Sequence, residues 1–179
     1  MSSLSRQAKR VEGEEIEETP RLPFVVWRNI FVVIDDGSVA IDDIEAISGR
    51  VLSLGQRYPG GVGGLTVIPA TGRPPSEENR QAIKQAYGRV SGHLKAMCWM
   101  VDGQGFRAAT IRAALAGLRL LLQPPFPTKV AANLNEGVPW LFSQLKNEFS
   151  SGIAEGVNEI REELKSIQRS RRSVHPFEG

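Results

Sequence analysis

Few side chains in these 179 residues keep the company that covalent or acid–base chemistry requires. His93 and His175 are the two histidines, and neither has a carboxylate or thiol pattern nearby to make it a general base or a metal ligand. The single cysteine, Cys98, lies within the apolar run Ala96-Met-Cys-Trp-Met-Val101, where an inert core thiol is the expected role. No metal-ligand spacing occurs. The expectation is a protein that is not an enzyme and uses no cofactor or metal.

Two constellations could still hold a ligand. Gly103-x-Gly105-x-x-Ala108 follows an apolar strand and opens a helix, the form of a dinucleotide fingerprint whose backbone N–H groups receive a pyrophosphate. Its context disagrees, because that fingerprint belongs to the first βαβ unit and only one strand follows here. Where a ribose-binding acid belongs, about 20 residues on, the chain reads Gln123-Pro-Pro-Phe-Pro127. A glycine-rich strand-to-helix turn is the expected role.

Arg80, Arg107 and Arg112 fall on helices that start at one edge of a sheet, with Arg73 in the adjacent loop. Helix N-termini and arginines there could hold a phosphate or carboxylate. The competing role is pairing with Asp102, Glu77 or Glu78, or simple solvation. Arg73, Ser76, Gly103, Gly105, Arg107 and Arg112 together make up the candidate ligand site, which would make the protein a sensor of an anionic metabolite, nucleotide or lipid headgroup.

The elements that must position these groups follow from apolar spacing and turn residues. Phe24–Trp27 and Ile30–Ile34 read as a hairpin or one kinked strand, ending at Asp35-Asp36-Gly37. A helix begins near Asp42, with Asp42 and Glu45 in a capping pattern and Ile44, Ile47, Val51, Leu54 and Tyr58 at spacings of 3 and 4. Pro59-Gly60-Gly61 stops it. Leu65–Ile68 is a strand, and Ser76 caps a second helix with its stripe on Ile83, Ala86, Tyr87 and Val90. Ala96–Val101 is a strand buried on both faces. The third helix, Phe106–Leu122, is apolar nearly all round and so is expected to be central and well covered. Lys129–Ala132 is the last strand, and Glu136–Leu145 starts the last helical region. The order β-β-α-β-α-β-α-β-α predicts an α/β fold, a mixed and mostly parallel sheet with flanking helices, plus a C-terminal helical extension.

Composition narrows the function classes. A net charge of +2 is too small for a nucleic-acid footprint. A lone cysteine fits a reducing compartment, residues 1–20 lack the apolar core of a signal peptide, and no run suits a membrane-spanning helix. The cytoplasm is the expected location. Residues 1–22 run from basic Arg6, Lys9 and Arg10 to acidic Glu12, Glu14, Glu15, Glu17 and Glu18, and read as a disordered tail. Residues 23–145 form the domain, 146–172 an amphipathic helix and 173–179 a second tail. Trp27, Trp99 and Trp140 read as packing residues.

This order, with several local signatures, resembles the STAS superfamily, the sulfate-transporter and anti-sigma-factor-antagonist domains, and is most similar to a bacterial STAS-like branch. The resemblance rests on Tyr58-Pro-Gly-Gly61, Pro75-Ser76, Gly103-x-Gly105-Phe106-Arg107 and Trp140-Leu141, and spans about Phe24 to Leu145. It implies a regulatory or scaffolding module, an adaptor that acts by protein contact. Anti-sigma antagonists are phosphorylated on a serine of an Asp-Ser-Ser-Gly motif at the start of the second helix. The equivalent loop here is Pro-Ala-Thr-Gly-Arg-Pro-Pro-Ser over Pro69–Ser76, so phosphorylation of Ser76 or Thr71 stays an open question.

Past Leu145, apolar residues recur at Phe149, Ile153, Val157, Ile160, Leu164 and Ile167, a seam that something must cover. Either the helix folds back onto its own domain, or it pairs with a second copy or another protein. Pairing is slightly favoured, although Gly152 and Gly156 weaken an autonomous helix. The basic end at Arg169, Arg171 and Arg172 makes contact with a membrane surface a more distant alternative.

Overall fold

The structure is a computed structural model, and it describes residues 22, 24–145 and 153–174. Of the expected tails at 1–22 and 173–179, residues 1–21 and 175–179 lie outside the described residues, as do Phe149 and the side chains of Ile153 and Ile167. Leu22 is no part of a tail: it is 1% exposed and packs in a core with Phe24 and Phe31, while Ser173 and Val174 still belong to the last helix.

Strand β1 (Phe24–Trp27) turns back through Arg28-Asn29 into β2 (Ile30–Ile34), so the first two apolar runs are an antiparallel hairpin. Arg28 takes φ 53°, as a two-residue hairpin turn demands, and the buried Asn29 amide donates to the Gly61 carbonyl at 2.8 Å. Helix α1 (Ile41–Arg57), β3 (Val62–Pro69), α2 (Glu77–Val90), β4 (Leu94–Asp102), α3 (Gly105–Leu122), β5 (Thr128–Ala131), α4 (Leu134–Leu145) and α5 (Ile153–Val174) follow. The sheet order is β1-β2-β3-β4-β5, with every pair after the hairpin parallel.

This monotonic order decides where the helices go. Successive parallel neighbours joined by crossovers of one hand place α1, α2 and α3 in a row on the same face. Val51 and Leu54 of α1, Val90 of α2 and Leu115 of α3 share a core there with Phe31, Val33, Met97 and Trp99. The opposite face carries Val32, Leu65, Val67, Cys98 and Met100, covered by Val138, Leu141 and Phe142 of α4 and Val157, Ile160 and Leu164 of α5. Both faces of β4 are therefore buried, as its unbroken apolar run predicts.

Three local expectations change. The N-terminus of α1 is organised by Asp43, whose carboxylate accepts the Ala40 N–H at 2.9 Å, and not by Asp42 with Glu45. Strand β3 begins at Val62, three residues before the expected Leu65. The intervening glycines make room: a Cβ on Gly64 would lie 2.4 Å from Met97 Sδ and 2.5 Å from Phe31 Cζ.

The third correction is the largest. Helix α3 is neither central nor covered: Phe106 is 90% exposed, Leu120 69% and Leu121 68%. It follows β4 and precedes the edge strand β5, so it ends the row of helices and has a neighbour on one flank only. Ala108, Leu115 and Leu122 suffice to seat it.

Candidate functional site

The loops after β2, β3 and β4 meet at the carboxyl edge of the sheet, where open α/β sheets bind ligands. Gly37 takes φ +87°, and a Cβ on it would stand 2.7 Å from the Arg73 nitrogen, so the first two loops touch. Gly103 takes φ +140°, and a Cβ there would sit 2.9 Å from that of Ala70. Gly105 takes φ +81° with open space around it. These conformations explain both glycines without a pyrophosphate.

The candidate ligand residues have different local partners. Ser76 caps α2, its Oγ accepting the Asn79 N–H at 3.1 Å, as expected. Arg80 pairs with Glu77 and donates to the Pro75 carbonyl at 3.3 Å, which holds the Glu77 carboxyl below the usual range. Arg112 acts on Glu136 across the β4–β5 side. That carboxyl is pulled down first by the Ala132 N–H at 3.0 Å, then by Lys129 at 3.1 Å, with Arg112 adding to both. Arg73 and Arg107 are exposed and make no ion pair among the described residues. Only Arg73 reaches the space described next.

Under the row of helices lies a cavity of about 160 Å³ that sequence reasoning missed. Its floor is the cross-strand row Val33–Thr66–Trp99 with Phe31, Ile68 and Met97 around it. Ile47 and Val51 of α1, Ile83 and Tyr87 of α2 and Leu115 of α3 form its roof. Ala114 of α3 lines the cavity while exposed to solvent, and so do Arg73 and Pro74, so it opens between the helices and at the loop edge.

The polar groups here are few. Asp35, the first residue after β2, accepts the Gly37 N–H on Oδ1 at 2.8 Å. Burial pushes its carboxyl pKa up, the Gly37 N–H opposes this, and the Asp36 charge adds to the rise. Burial drives the Tyr87 phenol pKa far upward; the neighbouring Trp99 side chain opposes this and the field of Asp35 adds to it. The sequence signal for Asp35 was an acid at a strand's carboxyl end, which reads equally well as a turn residue. Tyr87 and Trp99 were legible only as apolar stripe.

On the opposite face, Val157, Ile160 and Leu164 are buried against the sheet. The domain itself covers these central residues of the seam, which is the fold-back arrangement that the sequence left open. Arg161 donates to Asn135 at 3.0 Å, and Trp27 donates its indole N–H to Glu159. Among the described residues no cluster of His, Cys, Asp and Glu could hold a metal, and no helix is long and apolar enough to cross a membrane. No protein-family model and no curated protein matches this sequence.

Proposed function

We propose that this chain is a non-enzymatic regulatory or scaffolding module of STAS-like architecture that docks another protein on the outer face of α3. The observation that carries this reading is the exposure of Phe106, Leu120 and Leu121 on one helix. Scattered exposed apolar residues are ordinary, but a continuous stripe marks an interaction surface. Between Phe106 and Leu120 the same face carries exposed Ala109, Ala113, Ala116 and Gly117. Small residues flanked by large ones let a partner helix approach closely and gain anchors at both ends.

Charge narrows the partner. Helix α3 bears Arg107, Arg112 and Arg119 and no acid. An antiparallel pair of α3 helices centred on Ala113 would set Arg107 of one copy against Arg119 of the other, a like-charge contact that costs affinity. An amphipathic helix with acidic flanks satisfies both the stripe and the arginines. Regulation by protein contact is also what the STAS resemblance implies, and this reading moves the docking surface from the C-terminal seam to α3.

The test is affinity capture on immobilised full-length protein, wild type against Phe106→Asp and Leu120→Asp. Both positions are exposed, so melting temperatures should stay within about 2 °C of wild type. Loss of the same captured proteins from both variants supports the reading. Identical eluates sink it.

A further inference from the structure

The cavity under α1, α2 and α3 has a chemistry of its own. Its walls are almost wholly apolar, with aromatic faces from Phe31, Tyr87 and Trp99. Its volume of about 160 Å³ suits a single ring, since an apolar cavity of roughly 150 Å³ takes up benzene. One acceptor stands out on the wall. Asp35 uses Oδ1 for the Gly37 N–H, and its second carboxylate oxygen has no hydrogen-bond partner among the described residues. Tyr87 also lines the cavity and brings a phenol O–H donor.

We propose that this cavity binds a small aromatic molecule carrying one neutral hydrogen-bond donor, a phenol-like ligand whose ring lies between Trp99 and the helices and whose O–H or N–H reaches Asp35. The ring gains apolar contact from the sheet and all three helices. The donor meets the one carboxylate among the lining residues, on an otherwise apolar wall. An anionic head group at the same place would face the carboxylate of Asp35, so arenecarboxylates are excluded. Arg73 at the lip does not reverse this, because its side chain is exposed and screened. This inference is independent of what docks on the outer face of α3.

The experiment uses the full chain and three tolyl probes that differ in the para group, p-cresol (O–H), toluene (H) and p-toluate (carboxylate), read by thermal shift and isothermal titration. The expected result is that p-cresol raises the melting temperature by about 3 °C or more at tenfold excess over its Kd. Toluene should bind about tenfold more weakly, and p-toluate should give no shift. Ala114→Phe, at the solvent-exposed mouth, should abolish the p-cresol shift while leaving the unliganded melting temperature near wild type. Asp35→Ala should reduce the preference for p-cresol over toluene to about twofold or less. The proposal is overturned by no shift with any probe, by equal binding of p-toluate, or by an undiminished shift in Ala114→Phe.

Discussion

Gly156 of α5 lies flat against the indole of Trp27, so close that a Cβ in its place would stand 2.4 Å from Cη2. Two other contacts hold the same junction. The Trp27 indole N–H donates to Glu159 one turn further on, and the Trp27 ring meets Phe142 edge-on at 5.6 Å. A glycine that weakens an isolated helix is thus the point at which the helix seats on the domain. Gly156→Ala sets two effects against each other: about 1 kcal/mol of helix propensity gained and about 1–3 kcal/mol of overpacking. Trp27 is buried and held on two sides, so overpacking should win. Urea unfolding should show a net loss of about 1 kcal/mol. A more stable variant would mean that α5 does not seat on Trp27.

That junction shows why some of the architecture was legible and some was not. Strand β1, β2 and the helix α2 cap follow from local chemistry: β-branched runs, a hairpin turn, and a serine before two acids. The fate of α5 does not. Its seam of Val157, Ile160 and Leu164 looks the same whether a partner or the protein's own sheet covers it, and Gly156 is informative only once Trp27 is beside it. Helix α3 failed for a related reason. All-round apolarity normally signals burial, but position in the row of helices, set by the strand order, outweighed it. The cavity was illegible because Thr66, Tyr87 and Trp99 come from three different elements and Asp35 from the loop after β2.

Ser76 offers a simple check on the loop that a phospho-switch would use. Its Oγ satisfies the Asn79 N–H, so Ser76→Ala should cost about 1 kcal/mol in urea unfolding. Ser76→Asp should recover most of it, because aspartate caps as well as serine. If Ser76→Ala leaves stability untouched, the hydroxyl is not engaged as a cap.

Cys98 lies on the fully covered face of β4, with its Sγ so near α4 that a Cβ on Gly137 would come within 2.9 Å. Burial pushes its thiol pKa up to about 12, partly offset by Lys129 and reinforced by Glu136. Thiolate is therefore scarce at neutral pH, and access needs unfolding. A chromogenic disulfide reagent should label the native protein only at the rate of global unfolding, and rapidly in denaturant. Fast native labelling would refute the placement.

Asp35 should leave a mark on the pH dependence of stability. Burial raises its folded-state pKa above the unfolded value, so the folded chain binds this proton more tightly. Its contribution is therefore fully present below the ordinary carboxylate pKa of about 4 and is lost as pH rises through the raised value. Asp35→Asn keeps an oxygen for the Gly37 N–H and removes the buried charge. At pH 7 the variant should melt at or above wild type, and wild type should close the gap as pH falls toward about 4. A wild type that is clearly more stable at pH 7 would mean that the carboxylate has a stabilising partner.

Removing α5 altogether tests the largest structural claim about the C-terminal region. The helix covers one face of the sheet through Val157, Ile160 and Leu164, each under a tenth exposed. Burying side chains of this kind is worth about 1.5–3 kcal/mol each, an upper range because the unfolded chain is itself partly compact. Ordering the helix offsets part of that gain. A chain ending at Leu145 should therefore lose about 3 kcal/mol or more of stability and expose Trp27, Ile30 and Phe142 to water. That newly bared face includes the edge strand β1, so the shortened protein should self-associate in light scattering where the full chain does not. The opposite pattern, an associated full chain and a monomeric truncation of equal stability, would return the seam to the role of a pairing surface.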